Sequence, residues 1–157
     1  MRGIRTKLGL VATSIGAVGV MIGAGPAGAA AGTGTVVGHG TISPGLTNTP
    51  TFQKVSFIGT LVAAGTKNSG TYSCVFTGAS TIKETSAKGK GTARGSCTGS
   101  NGSATANVNY NRVGTDVVLA GSSTGALSGA LNGDCSFEPT SAPTTKNYQL
   151  QCLLALH

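Results

Sequence analysis

Tryptophan is absent from this 157-residue chain, aromatic residues make up 4% and charged residues 10%. So few bulky side chains leave a thin interior, although apolar burial is the dominant favourable term in folding. The 26 glycines add to the conformational entropy that folding must overcome. Acids are scarcer still. There are only Glu84, Asp116, Asp134 and Glu138, and histidine occurs only as His39 and His157. Asp134 and Glu138 are the one carboxylate pair close in sequence. On a strand they stand ~13 Å apart at ~3.3 Å per residue, beyond the ~5–9.5 Å between glycosidase carboxylates. A Ser-His-Asp site would rest on His39, which lies between two glycines, and no G-x-S-x-G elbow presents a serine. The closely spaced C-x-x-C or H-x-x-x-H pairs of zinc sites are missing, as are phosphate-loop and dinucleotide motifs in a strand–helix context. These absences predict no catalytic residues, no metal site and no cofactor.

Long apolar runs are also lacking, with one exception. Arg2, Arg5 and Lys7 precede an apolar stretch at 8–22, and small residues fill 23–29. That is the pattern of a secretory signal peptide with an A-x-A cleavage site. The cut is placed after Ala29, with Ala31 as the alternative. The run falls short of the roughly 20 residues a membrane span needs, so no transmembrane span is expected. The reading gives two segments: a signal peptide over 1–29 and a secreted domain over 30–157. Three of the +7 formal charges belong to the leader, which leaves a mildly basic +4. Such weak, scattered charge does not point to nucleic acid. Lys83, Lys88, Lys90 and Arg94 face a single acid, Glu84, within 80–94. They form a possible contact for an anionic surface. The competing reading is a solvated hairpin tip protected by lysine, and no interleaved aromatic offers a base something to stack on.

What the chain does have is four cysteines: Cys74, Cys97, Cys135 and Cys152. In an exported protein they read as two disulfides. Three connectivities are possible. Cys74 and Cys97 lie nearly equidistant from a turn near Thr85, and Cys135 and Cys152 do so about Pro143. This hairpin symmetry favours Cys74–Cys97 and Cys135–Cys152.

The remaining pattern is β. A glycine-loosened strand is read over 35–42, and a strand over 51–63 places Val55, Phe57 and Leu61 on one face. Another spans 71–77. The segment 95–99 carries Cys97. The strand at 104–112 alternates Ala104, Ala106, Val108 and Tyr110 against Thr105, Asn107, Asn109 and Asn111, and a short strand follows over 116–120. Asn101-Gly102 and Asn132-Gly133 read as type I′ hairpin turns. Asn101-Gly102-Ser103 also fits the N-glycosylation pattern but is read as the turn. Residues 138–147, with Pro139 and Pro143, read as loop. Tyr148, Leu150, Cys152, Leu154 and Leu156 form a final apolar row. No helical stripe appears outside the leader. The expected fold is all-β: one antiparallel meander of seven or eight strands closing as a barrel, with a two-sheet sandwich as the alternative.

The leader, the run Gly40-Thr41-Ile42-Ser43-Pro44-Gly45-Leu46 and the run Cys74-Val75-Phe76-Thr77-Gly78 resemble small secreted β-rich proteins of actinobacteria. That resemblance implies export and a β fold but no activity. The functional expectation is a secreted, non-enzymatic binding protein of the cell envelope or extracellular space, its ligand in a barrel mouth or on the basic hairpin. Two alternatives are a protease inhibitor acting through the 138–147 loop and, more remotely, a hydrolase using His39 or the Asp134/Glu138 region.

Overall fold

Alternation of large and small side chains decides which face of each strand turns inward, because successive residues of a strand point to opposite faces. The computed structural model describes residues 32–157; the signal peptide assigned to 1–29 lies outside them. Eight strands run in sequence order: β1 (Gly32–Leu46), β2 (Lys54–Ala64), β3 (Gly70–Ser80), β4 (Lys88–Gly99), β5 (Gly102–Val113), β6 (Asp116–Gly125), β7 (Gly129–Pro139) and β8 (Thr145–Leu156). Every neighbour is antiparallel, and β1 pairs with β8 from Gly32↔Leu156 to Thr41↔Asn147, so the sheet closes into a barrel. Closure leaves no sheet edge unpaired, and the sandwich alternative is excluded.

The alternating rows become the inner wall. Phe57 and Leu61, then Ala104, Ala106 and Val108, then Cys152, Leu154 and Leu156 are all buried. The outer wall is dominated by Ser, Thr and Asn. Val37, Ile58, Val62 and Val75 are exposed among them, as β-branched residues suit a pleated surface. This polarity is the reverse of membrane-spanning barrels, which carry their apolar band outside and polar residues within. No helix among the described residues is long and apolar enough to cross a membrane.

Glycine fills the inner positions that the large side chains overlie. The Phe57 ring lies where a Cβ on Gly59 would come within 2.6 Å of it. The two disulfides are Cys74–Cys97 and Cys135–Cys152. Each joins residues directly opposed in register on adjacent strands. Both face inward, and they stand on opposite walls, four strands apart in an eight-strand circuit.

Several boundaries differ from the sequence reading. β1 starts earlier and ends later than 35–42, and β6 continues through Gly121 to Gly125. Pro139 ends β7, so the loop expected over 138–147 contracts to 140–144. Asn132-Gly133 is not a turn. Both residues lie inside β7, where Asn132 opposes Ala120 and Ala155 and Gly133 opposes Leu119 and Leu154. Gly133 provides space for the Leu154 side chain, and the actual β6–β7 connection is 126–128. At the β4–β5 hairpin, Gly99 pairs with Gly102, so the two-residue link is Ser100-Asn101. Only Gly102 takes a positive φ there, of 118°, so the turn is not type I′.

Candidate functional site in the barrel lumen

The meander sends alternate connections to opposite ends. The β1–β2, β3–β4, β5–β6 and β7–β8 links gather at one end, and the β2–β3, β4–β5 and β6–β7 links at the other. Two long connections plug the first end. Residues 47–53 cross it, and Thr51 forms a β-bridge to Glu84 in the β3–β4 loop. The Gln53 carboxamide pairs with the Gly45 backbone, accepting from its N–H at 2.8 Å and donating to its carbonyl at 2.9 Å.

Glu84 is the centre of this plug and is 1% exposed. The Tyr110 hydroxyl donates to its Oε2 at 2.6 Å. The carboxyl rests against Gly89, where any Cβ would collide with it. Arg112, also buried, ends the inner row of β5. Its guanidinium donates to the carbonyls of Ser86 (3.0 Å), Gly114 (3.2 Å) and Thr85 (2.5 Å). It lies 5.2 Å above the Phe137 ring, a cation–π geometry, and Phe137 stacks on Tyr148. The Arg112–Glu84 ion contact is long, at 3.9 Å, so the tyrosine hydrogen bond is the tighter link to the carboxylate.

Burial pushes the Glu84 carboxyl above its usual range, against the Tyr110 hydroxyl, the Arg112 charge and the Lys90 backbone N–H, which all favour ionisation. Burial also lowers Arg112, opposed by the Glu84 carboxylate. Burial and then Glu84 raise the Tyr110 hydroxyl, which keeps it protonated as a donor.

The opposite end is closed more lightly. Leu127, from the β6–β7 link, is buried there. The Asn68 amide donates to the Ala126 carbonyl at 2.8 Å, and the Ser123 hydroxyl donates to the Leu127 carbonyl. Between the ends lies a cavity of about 160 Å³, walled by Phe57, Leu61, Phe76, Val108, Leu119, Leu131 and both disulfides. Its polar neighbours are few and concentrated at the plugged end, with Glu84, Tyr110, Arg112 and Tyr148.

The residues singled out from sequence fall elsewhere, apart from the cysteines. Lys88, Lys90 and Arg94 form an exposed row on the outer face of β4, Lys83 is exposed in the preceding loop, and Arg94 donates to Asn107 at 2.7 Å. The row does not line this cavity. His39 is exposed on β1 between Ile58 and Gln149. The β1–β8 register leaves it about 25 Å from His157 at ~3.3 Å per residue. Asp134 and Glu138 are exposed on the outer face of β7. No three His, Cys, Asp or Glu side chains cluster among the described residues. The 140–144 loop folds back on Ser141, whose Oγ accepts from the Lys146 and Asn147 N–H groups. Of the four cysteines, Cys74, Cys97 and Cys152 line the cavity.

Sequence reasoning missed the buried cluster. It placed Glu84 on a solvated tip and stopped the inner row of β5 at Tyr110. One more step of two residues reaches Arg112, and a charge on an inward row is the signal that pointed to it. Comparison with known protein families, curated proteins and solved structures finds no match to this chain.

Proposed function

We propose that this protein is exported and acts as a non-enzymatic binding protein that holds a small apolar molecule in its barrel lumen. The carrying observation is the apolar cavity of about 160 Å³. Protein interiors pack as densely as organic crystals, and an unfilled cavity of this size costs roughly 4 kcal/mol at ~24 cal/mol per Å³. That is a large fraction of an ordinary domain's stability of ~5–15 kcal/mol. A ligand that fills the space restores the lost contacts. Two disulfides suit an oxidising compartment outside the cytosol, in keeping with the leader-like residues 1–29. Catalysis finds no support in the wall, since the one acid facing inward, Glu84, is engaged by Tyr110.

Xenon tests this reading because it enters empty apolar cavities. In methyl NMR of the purified protein under xenon pressure, the expected shifts centre on Leu61, Leu131 and Leu154. Shifts confined to outer residues such as Val37 and Ile58, or no shifts, would overturn it.

A further inference from the structure

We infer that the lumen selects an uncharged single-ring hydrocarbon and discriminates against the same ring bearing a polar group; this rests on the lumen-binding reading above. Size sets the first limit. An apolar cavity of about 150 Å³ lined by Leu, Ile and Phe accommodates benzene, and this lumen offers about 160 Å³.

Polar saturation sets the second limit. The Tyr110 hydroxyl is committed to Glu84, and the Tyr148 hydroxyl donates to the Ser56 carbonyl at 2.7 Å. Arg112 directs three of its N–H donors to backbone carbonyls. Among the described residues, the buried side-chain nitrogen or oxygen lacking a partner is Thr66 Oγ1, and Thr66 does not line the lumen. A ligand hydroxyl would therefore lose its water partners to a wall whose two tyrosine protons are both engaged, and a ligand charge would fare far worse. Wall chemistry sets the third limit. Two disulfides on opposite walls, with Phe57 and Phe76 also lining the lumen, present polarisable sulfur and ring faces, which pack well against a ring.

Toluene, phenol and benzoate give the test, because toluene and phenol nearly share a shape. Titration of the purified protein, followed by the same methyl resonances, is expected to show toluene binding in the lumen. Phenol should bind on the order of 10- to 100-fold more weakly, and benzoate should not bind. Ala106→Leu, which fills the lumen from β5, should weaken toluene binding at least tenfold while circular dichroism stays β-rich. If that variant does not fold, Ala93→Val fills the same space from β4 with a smaller increment. Phenol binding as tightly as toluene, or a folded filled variant binding toluene unchanged, overturns the inference. Xenon shifts without toluene binding overturn the ring class and leave the lumen reading standing. Absence of both overturns both.

Discussion

Glu84 shows how one side chain sets the behaviour of an end of the barrel. Its carboxyl titrates above its ordinary value near 4.5 because burial outweighs its three favourable partners. A raised folded value means that the protonated form is the one stabilised by folding. This contribution is complete below pH 4.5 and is lost as pH rises through the folded value. Glu84→Gln imitates the protonated group. It is therefore expected to melt no lower than wild type at pH 7, and the two should converge below pH 4.5. Glu84→Ala leaves the buried Tyr110 hydroxyl without an acceptor and should lose ~1–3 kcal/mol at both pH values. Thermal melts by circular dichroism from pH 3.5 to 7.5 check this; Glu84→Gln falling as far as Glu84→Ala at pH 7 would contradict it. From sequence, the lone acid in a lysine-rich stretch looked like part of a solvated tip. Its burial depends on Tyr110 and Arg112, which are far away in the chain, and on the bridge to Thr51 that draws the loop inward. No local pattern encodes that contact.

The paired strands were more legible, because a crosslinked hairpin is a local object. Equal spacing about a turn located both disulfides, and the register places each cysteine directly opposite its partner. The loops span separations of 23 and 17 residues, and chain entropy assigns each bridge ~3 kcal/mol, with a difference of only a few tenths. Replacing either pair by alanine is thus expected to lower stability to a similar extent, and dithiothreitol should lower the melting temperature of wild type more than that of either variant. Denaturant unfolding with and without reductant measures both effects. Equal midpoints before and after reduction would show that the staples contribute nothing. The Asn132-Gly133 misreading belongs to this scale too. A turn signal and a space-making glycine are the same residue type, and only the facing Leu154 side chain distinguishes them.

Closure is a property of the whole molecule. Alternation defines an inner face for each strand, but a barrel and a sandwich share it, and the pairing of the first strand with the last decides between them. That pairing also brings Gly32 beside Leu156, so the ends of the circuit are neighbours in space. A circular permutant that links residue 157 to residue 32 and opens at Ser100-Asn101, the two-residue link of the β4–β5 hairpin, retains all eight pairings. It should therefore reproduce the wild-type circular dichroism spectrum and xenon shifts, since nothing in the inner wall changes. Deleting β8 has the opposite effect. It bares β1 and β7 as open edges that invite association, orphans Cys135 and removes Leu154 and Leu156 from the wall. Size-exclusion chromatography should show aggregation of that deletion and a monodisperse permutant. The reverse result would mean that the strands hold together pairwise, without the circuit, and that the lumen is incidental to what stabilises them.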